Sequence, residues 1–458
     1  MIFLLYIIFA AITACFLSMK TDRKVLSFML ILWLLAQPVI NAKYIIPLPG
    51  LPFELQPNRI LFLFSLVYLL WGLISQAEEL TGTNPPFEKY IYIYFGLVLF
   101  AVLLNYAFMS PKNVISVPLE IATFLAVYKL TKRHMTEKVV EAIIRAIVFL
   151  AVIGAIIAIV QISLDSMFLR TGDLRPAFGN KLRSTGIFQS EYDFGYFQIL
   201  AVIVALIRYN GKAIRFLITP LLMFSVLLTF HRLDYIILFV CYVSYDVFFS
   251  KQELPLPLYV VAGVLGLILL GLSIELYQSM DLHSVMLEER LKEDTVTGRV
   301  LQYQVVWDSI LAYPWGLGSY EHPDYVKLMS EHGMLVWYKD RFGNSYTLPL
   351  VVHNGYLAAG IRYGFFGMVT FTMLIFSMYR YAKKQINSMI PYSVVPFYAV
   401  LIYAMSNLSN DLSIFRAYFV VLLAILSGAS VSINRVVLAK QQSAMGAEGQ
   451  EVVARFKV

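Results

Sequence analysis

VVEAIIRAIVFLAVIGAIIAIVQIS, residues 139–163, decides the fold class: Glu141 and Arg145 near its start are its charged residues, and the remainder is almost wholly apolar. At about 1.5 Å per residue, a helix of this length crosses a hydrocarbon core of about 30 Å. Blocks of about 17 to 25 residues with the same character recur near 2–19, 25–41, 59–75, 90–107, 114–130, 191–208, 214–230, 233–250, 257–276, 354–379, 392–409 and 416–434. They show no period-two alternation. Because lipid offers backbone groups no partners, such blocks predict a helical bundle and not a barrel. The expected fold class is therefore an all-α polytopic membrane protein with about 12 to 13 transmembrane helices. The lower number applies if the second block, which carries Gln37 and Pro38 near its end, forms a broken or re-entrant hairpin with the first.

The composition agrees. Of 458 residues, 59% are hydrophobic and 14% charged, which excludes an ordinary soluble core. The net charge of +7 does not imply nucleic acid, because lysines and arginines gather between the apolar blocks. Cys15 and Cys241 both lie inside such blocks, so neither a disulfide framework nor a cysteine metal site is expected. Residues 1–19 lack a basic leader and a small-residue cleavage site, and read as a retained first helix.

The charges also set a topology. Lys20, Arg23 and Lys24, then Lys132, Arg133 and Lys138, then Arg208, Lys212 and Arg215, then Arg380, Lys383 and Lys384, and finally Arg435 with Lys440 mark one side as cytoplasmic. The opposite, periplasmic side receives 42–58, 164–190, the His231-Arg232 turn, the long stretch 276–352, and 410–416. The resulting organisation is a transmembrane bundle of ten spans over 1–275, a large periplasmic loop with an amphipathic helix over 276–352, C-terminal transmembrane helices over 353–434, and a polar, disordered cytoplasmic tail over 435–458. No internal repeat or P-loop pattern is present, which argues against transporter and ATPase functions. A transporter of lipid-linked glycan would need ionisable residues near the midplane of several helices, whereas Arg145 and Asp246 lie nearer span ends.

Candidate chemistry concentrates on the periplasmic side. Over 298–313, Val300, Leu301, Val305, Trp307, Ile310 and Leu311 repeat with a helical period that ends before Pro314. Arg299 at its start opposes the helix dipole by a few tenths of a kcal/mol, which a bound anion would offset; the alternative is a lipid-facing surface arginine. His353, where the chain re-enters the membrane, can take a proton from an alcohol, or can be structural. Arg232 in T-F-H-R-L-D-Y-I is expected to face the bundle interior, with Asp234 as a possible ion-pair partner. The stretch with Arg170, Arg175, Lys181 and Arg183, followed by the Ser184-Thr185-Gly186 turn, could hold phosphate through side chains and backbone N–H groups, or be ordinary solvated charge. His322 and His332, with Glu321, Asp324 and Glu331, do not match a compact zinc pattern, and Glu288, Glu289, Glu293 and Asp294 read as a wet loop face.

T-G-R-V-L-Q-Y-Q-V-V-W, A-Y-P-W-G-L-G and H-N-G-Y-L-A-A-G-I-R-Y-G-F-F-G, within 298–367, together resemble the shared core of the bacterial O-antigen ligase and O-antigen polymerase superfamily. R-S-T-G-I-F-Q-S and the H-R-L-D turn extend the likeness upstream. The resemblance implies a type C-like, metal-independent, inverting glycosyltransferase that moves a glycan from undecaprenyl diphosphate to a hydroxyl acceptor. It implies no cofactor, and gives as partners the lipid-linked donor, a glycan or lipid-linked acceptor, membrane lipids and a chain-length regulator. By the same resemblance Arg232, Arg299 and His353 are the catalytic residues, and Arg183 is a diphosphate or glycan contact. Arg175, Asn354, Trp307 and His231 complete the expected substrate-binding set. Two positions depart from the family pattern: His231-Arg232-Leu233 replaces a Ser-Arg-Gly-like turn, and Arg362 stands where glutamate is common. Polymerase is preferred over ligase because Trp307, Trp315, Tyr320, Tyr325, Trp337, Tyr338 and Tyr346 could hold sugar chains on both sides of the site.

Overall fold

The computed structural model describes residues 2–43, 46–47, 54–55, 57–74, 84–170, 182–249, 296–339, 345–349, 351–386, 390–413, 415, 417–432 and 434. In chain order the helices are α1 (Ile2–Ser18), α2 (Lys24–Lys43), α3 (Pro57–Ile74), α4 (Glu88–Leu104), α5 (Pro111–His134), α6 (Glu137–Ser163), α7 (Glu191–Arg208), α8 (Arg215–Leu227), α9 (Arg232–Phe249), α10 (Val296–Ala312), α11 (Pro323–Glu331), α12 (Gly355–Lys384), α13 (Val394–Ser406) and α14 (Tyr418–Ser432). Three of them, α5, α6 and α12, are long and apolar enough to cross a membrane by length and composition, and α14 is among the shorter apolar ones. The span expected at 257–276 and the tail at 435–458 lie outside the described residues.

The described fold is helical, as expected, with two short hairpins beside the helices. Ile46–Pro47 pairs with Glu54–Leu55, and Leu335–Lys339 pairs antiparallel with Ser345–Pro349, two hairpins that the hydropathy reading did not separate from loop. Helix α11 was likewise not expected, because at nine residues it is too short for periodicity to stand out.

Helix starts follow their caps. Ser110 accepts from the Asn113 N–H to open α5, Thr136 from Val139 to open α6, and Ser190 from Asp193 to open α7. Lys132, Arg133 and His134 close α5 with charges that suit the negative end of its dipole. Helices α7 and α14 are buried almost all round and form the centre of the bundle. The outer helices behave oppositely: Leu4, Phe9, Ile12 and Phe16 of α1, Leu63, Val67 and Trp71 of α3, and Phe216 and Leu217 of α8 are exposed. A surface so rich in large apolar side chains suits hydrocarbon and not water.

The two ends of the bundle differ. At one end Thr136 donates to Asp22, Arg208 donates to Tyr392, and Lys132 reaches Glu88 at 2.5 Å, so the basic connections gather there. At the other, Asn105 donates to the Gly316 carbonyl, Gln161 to Gly186, and the Gly355 N–H to the Asn407 carbonyl. The candidate residues lie at this second end.

Helix α12 is broken at Gly364, whose φ is +76°. The carbonyls of Ile361 and Arg362 accept from Leu317 and Gly318 at 2.8 and 2.9 Å, while the Phe365 N–H donates to Pro314 at 2.9 Å. Two of the quoted motifs, P-W-G-L-G and A-A-G-I-R-Y-G-F-F-G, therefore dock on each other through backbone bonds that satisfy polar groups freed by the break. A Cβ at Gly364 would fall 2.0 Å from the Pro314 carbonyl oxygen. Gly364→Ala is expected to combine this clash with about 1–2 kcal/mol of left-handed strain. A clear fall in the apparent melting temperature of the purified chain would register it, whereas an unchanged value would mean that the docked segment yields freely.

Candidate functional site

Three helix starts and one turn build the site. Asn354 caps α12, accepting from the N–H groups of Tyr356 and Leu357, which fixes the adjoining His353 at the helix mouth. His353 is half-buried. Helix α10 holds this junction from one side: Gln302 donates to the Val351 carbonyl at 3.2 Å and the Tyr303 hydroxyl to the His353 carbonyl at 3.3 Å. The turn over 407–413 holds it from the other, through the Gly355 to Asn407 backbone bond at 2.7 Å.

Of the apolar stripe expected along α10, Val305 and Ile310 are buried, whereas Trp307 and Leu311 are exposed. Gln302, Val305, Val306, Ser309 and Ile310 are buried, with Val305, Val306 and Ile310 packing with Ala358 and Ile361 of α12. On the opposite face Tyr303, Gln304, Trp307 and Asp308 line an open groove of about 540 Å³. Arg299 lies in the first turns of α10, but its side chain is outside the described residues, as are those of Trp337, Tyr338 and Tyr346, and Arg175 altogether. Tyr325 is fully buried and its ring packs 5.4 Å from that of half-buried Tyr320, so Tyr325 offers no face to sugar, contrary to the expectation from the sequence.

The α9 start also differs from expectation. Arg232 is exposed rather than turned inward, and Asp234 pairs with His231 at 2.7 Å, not with Arg232. Residues three apart share a helix face and residues two apart do not, so His231 and not Arg232 meets the buried carboxylate. Arg183 lies beside this start, 3.5 Å from Glu191 of α7. The Ser184-Thr185-Gly186 turn is unavailable to phosphate in the manner expected. Buried Gln161 accepts from the Ser184 hydroxyl and the Thr185 N–H and donates to the Gly186 carbonyl, while the Ser184 N–H goes to Leu228.

Arg362 shows what replaces the common glutamate. Its guanidinium pairs with Asp411, donates to Ser413 at 3.2 Å and lies 4.4 Å from the Tyr320 ring. The Tyr320 hydroxyl donates to Asp411 at 3.3 Å, and burial pushes its pKa well above the usual tyrosine range, keeping the proton available. This network ties the segment after α10 to both α12 and the 407–413 turn. Sequence gave no signal for it, since Arg362 and Asp411 are far apart in the chain.

His322 has a structural task. Its Nδ1 accepts the Asp324 N–H at 3.2 Å to cap α11, and its ring packs 4.6 Å from that of Phe108. Burial lowers its pKa, outweighing the opposite pull of Asp324. A depressed histidine contributes stability in full above the unfolded value of about 6.5, and that contribution is lost as pH falls from there towards the folded value. Amide exchange in α11, corrected for its intrinsic pH dependence, should accelerate below about pH 6.5. His322→Ala should abolish that dependence at a cost of about 1 kcal/mol; a dependence that survives the substitution would assign it elsewhere.

The motifs that join α10, α12 and the α9 start thus occupy one end of the bundle. Residues 216–372 match the family model of the O-antigen ligase. The chain carries an O-antigen ligase family domain. Members of this family are glycosyltransferases that use lipid-linked glycans, and the apolar helices are those of an integral membrane protein. The domain runs from α8 to the middle of α12, so it includes His231, Arg232, Arg299, Trp307, His353 and Asn354, while Arg183 lies before it. No curated protein matches the chain.

Proposed function

We propose that the chain is a polysaccharide polymerase: it joins one undecaprenyl-diphosphate-linked glycan to another at the periplasmic face of the bacterial inner membrane. The observation that carries the choice of acceptor is the groove of α10, lined by Tyr303, Gln304, Trp307 and Asp308. An aromatic face beside an amide and a carboxylate suits a sugar ring and its hydroxyls, and Tyr303 of the same groove holds the His353 backbone.

In this reading the acceptor hydroxyl gives its proton to His353 and attacks the anomeric carbon opposite the departing lipid diphosphate. One displacement inverts the configuration. Arg299 and Arg232 stabilise charge developing on the diphosphate, with Arg183 and Arg175 as further contacts and Asn354 and Trp307 holding glycan. The donor is already activated, so the chemistry requires neither nucleotide nor metal. The reading places 276–352 on the periplasmic side of about 12 to 13 spans, with the basic connections in the cytoplasm.

The second reading, prompted by the word ligase in the family model's description, is transfer of the glycan to lipid A–core or another acceptor. Reconstitution with lipid-linked glycan alone separates the two when products are resolved by gel. A ladder without added core lipid supports polymerisation; a single transfer that depends on core lipid replaces it with ligation.

A further inference from the structure

The chain enters α9 through Phe230 at φ +51°. Left-handed geometry at a bulky residue is strained, and it persists only where the surroundings impose it. Its consequence is a closed constellation. The His231 Nδ1 lies 2.7 Å from Asp234 Oδ1, the Thr229 hydroxyl shares its proton between the Val226 carbonyl at 2.8 Å and Asp234 Oδ2 at 3.1 Å, and the His231 N–H donates back to Thr229 at 3.3 Å. Asp234 is fully buried. Room for it comes from Gly195 on α7, where a Cβ would fall 2.0 Å from Asp234 Oδ2. The Tyr192 ring packs edge-on against the imidazole at 4.6 Å.

Helix capping does not explain this arrangement. Among the described residues neither the imidazole nor the Asp234 carboxylate accepts a backbone N–H, because the Asp234 N–H goes to the His231 carbonyl. One carboxylate oxygen orients the imidazole, and the other meets the Thr229 hydroxyl that accepts the His231 N–H. With Nδ1 committed, Nε2 is the nitrogen left for substrate, and no hydrogen bond to it occurs among the described residues. A carboxylate at Nδ1 selects the tautomer and supports the imidazolium, as in proton-transferring histidines generally.

A chain of contacts joins His231 and His353 through the 407–413 turn. From His231 the path runs to Tyr192, one helical turn along α7 to Tyr196, and from Tyr196 to Asn410. From the same turn Asn407 binds Gly355, next to Asn354 and His353. Inverting transfer needs a proton acceptor on one face of the anomeric carbon and help for the leaving group on the other. Exposed Arg232 and half-buried Arg183 lie beside His231 and suit an anion there.

We propose that His231 is the general acid of the transfer reaction and Asp234 its positioning residue; this rests on the glycosyl-transfer reading above. As the acceptor oxygen bonds to the anomeric carbon, its proton passes to the His353 imidazole. The bond from that carbon to the diphosphate oxygen breaks with its electron pair on oxygen, which takes the proton from His231 Nε2. His353 then returns a proton to water and His231 regains one, so the net proton transfer is from acceptor to lipid diphosphate.

Among the described residues Asp234 pairs with His231 and the Tyr192 ring packs on it, Arg232 adjoins it in sequence, and Glu191 with Arg183 forms an ion pair at the neighbouring α7 start. The test is the pH dependence of initial rates for the reconstituted full-length chain with undecaprenyl-diphosphate-linked glycan. Wild type, His231→Gln, His231→Ala and Asp234→Asn are compared, each with its melting temperature. His231→Gln is expected to lose roughly a hundredfold in kcat together with the alkaline limb of the profile, at nearly unchanged donor KM. Added imidazole should restore part of the His231→Ala rate, and Asp234→Asn should lower kcat at nearly unchanged donor KM. An alkaline limb that survives in His231→Gln overturns the assignment, whether the rate is unchanged or falls only in step with stability. Absence of transfer by wild type at every pH overturns the glycosyl-transfer reading itself.

Discussion

Replacing His353 by alanine is expected to lower the initial rate of glycan transfer by about two to four orders of magnitude, the usual contribution of a general base. Backbone bonds hold this position in place. Tyr303 binds the His353 carbonyl, Asn354 caps α12, and Gly355 is tied to Asn407. A truncated side chain leaves all three in place, so kcat should fall far more than any change in melting temperature or donor KM accounts for. Arg299→Ala should lower kcat by stabilising less charge on the departing diphosphate. If both variants transferred glycan at the wild-type rate in the gel assay, the mechanism would have to be given up.

Arg362→Ala carries the largest expected loss of stability, about 3–5 kcal/mol, because it strands the Asp411 carboxylate with little access to water. The cost is that of an uncompensated buried charge more than of a lost contact. It follows that Arg362→Met combined with Asp411→Leu should recover much of the loss, a coupling that a double-mutant cycle reads directly. Arg362→Lys should not substitute, since the guanidinium serves Asp411 and Ser413 at once while lying against the Tyr320 ring. Apparent melting temperatures of the variants in one detergent decide the matter. Simple additivity of the two single losses would show that the ion pair contributes nothing as a pair.

Much of the site was legible because its residues are near one another in sequence or belong to recognisable motifs. The HRLD turn announced a histidine, an arginine and a carboxylate at the α9 start. Which of the two cations the carboxylate takes depended on helix geometry, and Asp234 chose His231. The basic loop before α7 suggested a phosphate cradle, yet Gln161, buried one helix earlier, had already claimed the Ser184-Thr185-Gly186 turn. Tyr325 looked like a sugar platform in a list of aromatics and is instead fully buried against the ring of Tyr320. Short elements such as α11 and the Leu335–Lys339 hairpin carry too few residues for a period to show.

Sequence by itself determined the membrane-compatible helices, the two-sided sorting of charge and the family motifs. Each depends on local quantities, namely apolar length, charge between blocks and residue order, that survive without knowledge of contacts. Tertiary structure alone decided the Arg362–Asp411–Tyr320 network, the docking of P-W-G-L-G onto the break at Gly364, and the burial of Asp234 against Gly195. Those arise where polar groups leave water and must find partners from distant parts of the chain, and the identity of such a partner is fixed by packing.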